Sequence, residues 1–442
     1  MIRGQIAITL TAFLILSVLI SAPVAAPQQK LDKFKVAQGL RILDLVHSEV
    51  KNHYYDPTFH GVNIDAAFAQ AKDKVSGIDS FNEDFIIIAN TLDALQDSHT
   101  FFIPPPRPYN IEYGFRTKIV GDKCFVIAVK PDSDAFKQGL KAGDQLLTIN
   151  QFPPDRSTLW KLDYIYEALN PRLELILEVQ SPDGARRRIQ TKSEVEHYNR
   201  QVSGDEVIKR AARQQELERP RYAEFGDDLV IINMPNFVMS TNDLDTLASK
   251  LRKHRAAVLD MRGNPGGSVL QMEELLRNLF DHDVHVFDRV TRGGRRPENI
   301  RGSGGRAYKG KIVALVDSRS DSAAEITSRV LQLEKRGTVI GDRSAGKVME
   351  AKAYFDQLGV DTLFGFGTSV TDADLIMSDG KSLEKIGVAP DEQILPTAAD
   401  LAAGRDPVLT RAAALLGVVI TPEDAGKLFP YLWLKPVDWR NN

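Results

Sequence analysis

Ile312-Val313-Ala314-Leu315-Val316-Asp317-Ser318-Arg319-Ser320-Asp321-Ser322-Ala323-Ala324-Glu325-Ile326 is the stretch that decides the fold. Five apolar residues in a row, without alternation, read as a strand buried on both faces, the habit of parallel sheets. Polar turn residues follow. Ile326, Val330 and Leu333 then share one helical face, so a helix runs from Ala323 to about Leu333. A strand that feeds a helix through a tight turn is the building unit of an α/β core. A serine in that turn lies at the positive end of the helix dipole, where free backbone N–H groups bind a developing oxyanion. Ser318, Ser320 and Ser322 are also the residue type that caps helices. The stretch alone leaves both readings open.

Two further elements extend it. The apolar run Ala256-Ala257-Val258-Leu259 leads into Asp260-Met261-Arg262-Gly263-Asn264-Pro265-Gly266-Gly267, and a helical pattern spans Val269 to Leu279. Glycine lets the backbone approach a substrate and point N–H groups at it. The strand Thr338 to Ile340 leads into Gly341-Asp342-Arg343-Ser344-Ala345-Gly346-Lys347, where a lysine among small residues is a candidate general base. Leu229-Val230-Ile231-Ile232 adds another buried strand.

Upstream, residues 31–105 read as a helical region. Apolar residues recur at three- and four-residue spacing from Leu40 to Val50. Asn63 is placed to cap a helix through Phe68, and Asp79, Ser80 or Asn82 one through Phe85. Pro104-Pro105-Pro106 and Pro108 form a stiff linker and a domain boundary. Residues 110–192 read as short strands and turns, with one helix from Ser157 to Leu169. The core occupies 193–400. Its strongly charged start, to about 222, reads as a solvated helix or linker, and the Gly- and Arg-rich stretch Arg292 to Arg306 as a mobile surface loop, with a loop for an anionic ligand as the alternative. A helical extension fills 401–442. At the other end, Arg3, the apolar run Ile6 to Ile20 and the small residues Ser21 to Ala26 describe a signal peptide over residues 1–26, or an uncleaved anchor. Either predicts export, to a bacterial periplasm or a membrane anchor facing it.

Composition narrows the function classes. At 442 residues, 43% hydrophobic and 26% charged, the chain is globular and long enough for several domains. Its 56 basic and 59 acidic residues leave a net charge of −3, so no bulk field draws it to nucleic acid or to an anionic membrane. The single cysteine, Cys124, excludes an internal disulfide framework and any multi-cysteine metal site. The eight histidines form no ligand-spaced cluster, so no metal or other cofactor is expected.

Taken in order, these three elements resemble the carboxyl-terminal processing peptidases, or tail-specific proteases. Gly139-Leu140-Lys141-Ala142-Gly143-Asp144-Gln145-Leu146-Leu147-Thr148-Ile149-Asn150 is similar to the signature of their embedded PDZ domain, and Tyr113-Gly114-Phe115-Arg116 to its carboxylate-binding loop. Gly387-Val388-Ala389-Pro390-Asp391 and Gly404-Arg405-Asp406-Pro407-Val408-Leu409 resemble the family's closing segments. The resemblance implies a β-rich PDZ domain over 110–192 and a ClpP/crotonase-like α/β core. It implies an exported serine endopeptidase that captures protein C-termini and hydrolyses peptide bonds. Ser322 then aligns with the nucleophile, Lys347 with the base of a Ser–Lys dyad, and Gly266, Gly267 and Ala323 with the oxyanion hole. Val348 and Ala351 stand where the family has Gly and Gln, and Glu350 is the nearest acid in sequence on that side. A second arrangement resembles the related tricorn-type peptidases: Ser98-His99 matches their Ser-His pair, and Glu384 lies where their glutamate does. A non-catalytic peptide-binding scaffold on the same fold is the third reading.

Overall fold

The computed structural model describes residues 31–197, 217, 219–358 and 364–433. The signal segment at 1–26 and most of the charged stretch before residue 217 lie outside the described residues.

The N-terminal region is three helices, Lys33–His53, Ile64–Val75 and Phe81–Asp93. Asp32 accepts from the Phe34 and Lys35 N–H groups and Asn63 from that of Ala66, so two of the helices start on side-chain caps. Ile42, Leu43, Val46 and Val50 face Phe68, Val75, Ile88 and Leu92, all buried. The same cluster takes in Phe102, Phe366 and Val370, which anchors the helices on a sheet of the core.

Residues 115–192 form a separate antiparallel sheet of five strands in chain order: Phe115–Val120, Lys123–Val129, Gln145–Ile149, Glu174–Gln180 and Arg186–Lys192. Its core of Val126, Leu140, Leu162, Leu177 and Val179 is closed by the helix Leu159–Asp163, which continues as a wider turn over Tyr164–Leu169. Cys124 is buried in this core, and burial pushes its thiol up to about 12, so it is packing and not chemistry. Strand Phe115–Val120 is an edge strand. Tyr109–Glu112 pairs with Glu194–His197 and ties the two ends of the unit together.

The core holds a six-stranded sheet in the order Glu392–Gln393, Thr338–Gly341, Lys311–Val316, Ala256–Asp260, Leu229–Asn233 and Arg221–Phe225. Its pairings are parallel except at the last edge. Alternate residues of one strand feed opposite layers. Val230 and Ile232 meet the helices Thr241–Lys253, Val269–Leu279 and Ala323–Leu333; Leu229 and Ile231 meet Pro407–Leu415 and Pro422–Leu428. That two-sided cover is why these strands are apolar without alternation. Each such fully buried side chain contributes roughly 1.5–3 kcal/mol.

A second, antiparallel sheet joins Phe101–Ile103, Phe364–Met377, Val284–Thr291 and Gly294–Ile300, with Met349–Leu358 also on Phe364–Met377. Here one expectation fails. Most of Arg292 to Arg306 is a β-hairpin arm, not a mobile loop: Arg292 and Gly293 make the turn and the strand Gly294–Ile300 pairs back on Val284–Thr291. Its arginines point outward from a sheet edge, which gave the stretch a loop-like composition. Arg292 instead reaches Tyr54 O, Asn52 O (3.1 Å) and Lys51 O (2.8 Å), the free carbonyls that end the first helix. No helix among the described residues is long and apolar enough to cross a membrane.

Candidate active site

The turn after Lys311–Val316 uses its three serines differently. Ser318 Oγ donates to Ile119 O (2.6 Å) on the neighbouring unit. Ser320 Oγ is buried, donates to Met261 O (2.8 Å) and accepts from Asp317 N (2.9 Å). Ser322 stands at the start of the helix Ala323–Leu333 with φ 54° and ψ −118°. A non-glycine residue held at positive φ is strained by about 1–3 kcal/mol, and such residues cluster where function over-determines them.

The Gly266-Gly267 turn lies directly against it. A Cβ on Gly266 would stand 2.6 Å from Ser322 Cβ and 3.0 Å from Ala323 N, and one on Gly267 2.5 Å from Phe237 O. Only glycine fits this approach. The Gly266 N–H is engaged with Asn264 Oδ1 (2.8 Å). Among the described residues no acceptor takes the Gly267 or the Ala323 N–H. Two unengaged amides therefore flank Ser322.

Lys347 is brought beside Ser322 through its backbone, since Ser322 N donates to Lys347 O (3.0 Å). Its Nζ lies 3.8 Å from Asp321 Oδ2 and 5.4 Å from the centre of the Trp160 ring. No hydrogen bond joins Lys347 Nζ to Ser322 Oγ. Glu350 is elsewhere, paired with Arg289 (2.6 Å), so its candidacy as the acid beside the base fails on position.

The acid that does reach the site is Glu384. It accepts from Val348 N (2.9 Å), Ser98 N (2.9 Å) and Ser98 Oγ (2.9 Å). Ser98 Oγ lies 2.8 Å from His99 Nδ1. An ionised Glu384 only accepts, so the single Ser98 proton points at it. Ser98 Oγ is then the acceptor for His99 Nδ1–H, which leaves Nε2 unprotonated and able to take a proton. Burial holds the His99 imidazole below its usual range, helped by the Lys347 ammonium and opposed by Asp97. Burial raises the Glu384 carboxyl, against the Ser98 and Val348 donors. Asp97 fixes the turn itself: Oδ1 accepts from His99 N (2.8 Å), Thr100 N (3.1 Å) and Thr371 Oγ1 (2.7 Å). No hydrogen bond yet joins His99 to Ser322, and catalytic contacts of this kind commonly tighten only with substrate in place.

Sequence reasoning passed over Glu325. Its buried carboxylate gathers the whole site, accepting from Ser322 N (3.1 Å), Ser344 Oγ (2.6 Å), Gly346 N (2.7 Å) and Lys347 N (2.8 Å). Burial pushes it up to about 7. The signal was present: Ser322 followed three residues later by Glu325 is the capping-box spacing. Arg319 was passed over too. Its Nε donates to Thr117 O (2.7 Å) and its Nη2 to Asp163 Oδ2 (2.8 Å), so the turn that carries Ser322 is fastened to the edge strand Phe115–Val120. Asp342 adds a second fastening, through Arg156 Nη2 (2.6 Å) and Gly121 N (2.9 Å). Between the units opens a cleft of about 360 Å³ lined by Ser98, Trp160, Lys347 and Glu384. Among the described residues no group of three or more histidine, cysteine or carboxylate side chains is placed to hold a metal ion.

Tyr113, Gly114, Phe115 and Arg116 come together on the far side of the edge strand. Tyr113 is buried, with its hydroxyl donating to Tyr166 O (3.0 Å), and Gly114 takes φ 74°.

Residues 228–394 match the model of Peptidase family S41. Over 371 residues the chain is 25% identical to the C-terminal processing peptidase, chloroplastic, of Tetradesmus obliquus, covering 78% of this chain and 75% of that protein. It is 22% identical to the carboxyl-terminal-processing peptidase 2, chloroplastic, of Arabidopsis thaliana, covering 77% of this chain and 66% of that one, just under two thirds. The crystal structure of mature CPAF shares the fold, with a TM-score of 0.63 at 15% identity, over 84% of this chain and 94% of that one. Residues 228–394 form a peptidase family S41 domain, and the chain is a serine-type peptidase.

Proposed function

We propose that the chain is an exported endopeptidase that cleaves extended polypeptide with Ser322 as nucleophile and His99 as general base. Ser98 and Glu384 orient His99, and the Gly267 and Ala323 N–H groups receive the oxyanion. The observation that carries this is the unbroken chain Ser322 N to Lys347 O, Val348 N to Glu384, Glu384 to Ser98, Ser98 to His99. It ties the residues that orient the His99 imidazole to the backbone that holds the strained serine. In the reaction the Ser322 hydroxyl passes its proton to His99 Nε2 as Oγ attacks the scissile carbonyl. The charge that develops on the carbonyl oxygen falls between the two free amides. His99 then gives the proton to the departing amine.

Residues 110–192 act as a PDZ domain that receives substrate along the edge strand Phe115–Val120, and the six-stranded sheet with its helices is the ClpP/crotonase-like core. The five-stranded sheet closed by one helix supports the first assignment, and the two-sided parallel sheet the second. Export rests on the residues of the first 26 positions. A Ser322–Lys347 dyad is the second reading. It is favoured by the Ser322 N to Lys347 O bond, which sets the two residues side by side. Purified Ser322→Ala should lose turnover of a disordered protein substrate. Cleavage at the wild-type rate would sink both readings.

A further inference from the structure

A groove of about 560 Å³ runs between the edge strand Phe115–Val120 and the helix that begins at Leu159, with Ile127, Leu162 and Tyr166 among its apolar walls. At one end lies the loop that, in a PDZ reading, should receive a peptide carboxylate. That position already holds one. Glu112 Oε1 accepts from Gly114 N (2.9 Å) and from Arg116 Nη1 (2.7 Å), and Glu112 Oε2 from Arg116 Nη2 (2.7 Å). The guanidinium is committed on its other sides too. Arg116 Nε donates to Tyr431 Oη (2.9 Å), Nη1 also donates to Phe115 O (2.9 Å), and Trp433 stacks 4.8 Å from its centre.

The other arginines along the groove also donate into the protein, although Arg107 Nε is buried without a hydrogen-bond partner. Arg107 donates to Asn82 Oδ1 (3.0 Å) and Leu169 O (2.7 Å), and Arg319 to Thr117 O and Asp163. Asp163 and Glu167 add negative charge to the lining. An incoming carboxylate finds the Gly114 N–H and the Arg116 guanidinium already taken by Glu112, and Asp163 and Glu167 further along the lining. The bidentate Arg116–Glu112 pair is the strong, geometrically specific kind of contact, so a peptide terminus does not displace it without loss.

We infer that this groove takes an internal, extended stretch of polypeptide and not a free C-terminus, because Glu112 fills the carboxylate position. The inference rests on reading residues 110–192 as a peptide-binding PDZ domain, and it changes the substrate class from chain ends to chain interiors. Such a ligand offers apolar side chains to the walls and backbone groups to the strand edge, and it brings no charge to be neutralised.

The test is fluorescence anisotropy with the full chain, carrying Ser322→Ala so that nothing is cleaved. The probe is one labelled apolar peptide made twice, with a free C-terminal carboxylate and as the C-terminal amide. The expected result is equal affinity within about twofold. Glu112→Ala frees the Gly114 N–H and Arg116, and should then favour the free acid by about tenfold. The acid–amide comparison with Glu112 in place does not depend on the folding of the Glu112 variant. An acid preference of about tenfold or more without the Glu112 change overturns the inference and leaves the PDZ reading standing. Failure of both peptides to bind overturns the PDZ reading, and the inference with it.

Discussion

Replacing each candidate base decides the chemistry. A positioned general base is worth about 10²–10⁴ in rate. At about 1.4 kcal/mol per tenfold, that is roughly 3–5 kcal/mol of barrier. In this structure the group prepared for the task is His99: Nδ1 is satisfied by Ser98, and Nε2 is left to accept. Lys347 is engaged with Asp321 and stacked over Trp160. His99→Ala should therefore lower kcat by at least about 100-fold, and Lys347→Met by less than about tenfold. The Lys347 variant should also carry a second signature. Its ammonium helps hold the His99 imidazole down, so its removal lets that value rise. A base must be unprotonated to act, so the acid limb of the kcat/KM profile should move to higher pH in Lys347→Met. Glu384→Gln should shift the same profile and lower kcat, because a neutral amide presents an N–H where Ser98 or Val348 already donates. The assay is initial-rate cleavage of an internally quenched peptide from about pH 4 to 9, the wild-type His limb being expected below the ordinary imidazole value. If Lys347→Met loses about 100-fold while His99→Ala stays within tenfold of wild type, the imidazole argument is refuted and the dyad stands.

Three further outcomes follow from contacts already described. Gly266→Ala should fold yet lose at least about 100-fold in kcat, since its Cβ would press within 2.6 Å of Ser322 Cβ. Intact circular dichroism with unchanged turnover would contradict that. Ser322→Gly should abolish activity and raise thermal stability by about 1 kcal/mol, because glycine relieves the positive φ. A lower melting temperature would show that Ser322 is not strained. Asp84 is buried without a hydrogen-bond partner for either oxygen, and burial raises it to about 7. A raised carboxylate contributes stability fully below its unfolded value of about 3.8 and loses it as pH rises through about 7. Asp84→Asn should thus be more stable than wild type at pH 8, on the order of 2 kcal/mol, with the advantage gone by about pH 4. Denaturant melts at the two pH values measure it.

What was legible in the sequence was the local physics. The helix Ala323–Leu333 and the apolar runs at 229, 256 and 312 announce themselves because burial on both faces leaves no polar alternation. The glycines at 266 and 267 announce a close approach, although not which of the two amides is left free; that follows from Asn264 turning back on Gly266. The choice between Lys347 and His99 was not legible in the same way. The bond that orients His99 runs from Ser98 to Glu384 across 286 positions, which no local pattern announces. The arginine-rich hairpin misled for a related reason. A strand at an exposed edge needs no apolar face, so its composition matches a loop until its partner strand is seen.

Glu112 carries the same lesson into function. The residues Tyr113 to Arg116 fit a carboxylate-binding loop one by one, and their backbone takes the required turn at Gly114. Yet a loop of free N–H groups beside an arginine binds whichever carboxylate is nearest, and the nearest one is Glu112, two residues before Gly114 at the end of the preceding strand. The local Glu112 loses little conformational freedom when it binds, whereas an arriving peptide must lose all of its own. At equal contact geometry the tethered carboxylate therefore wins. A motif read by its donors alone predicts capture of chain ends. Counting the acceptors already seated on those donors predicts a groove for chain interiors, and the acid–amide comparison separates the two.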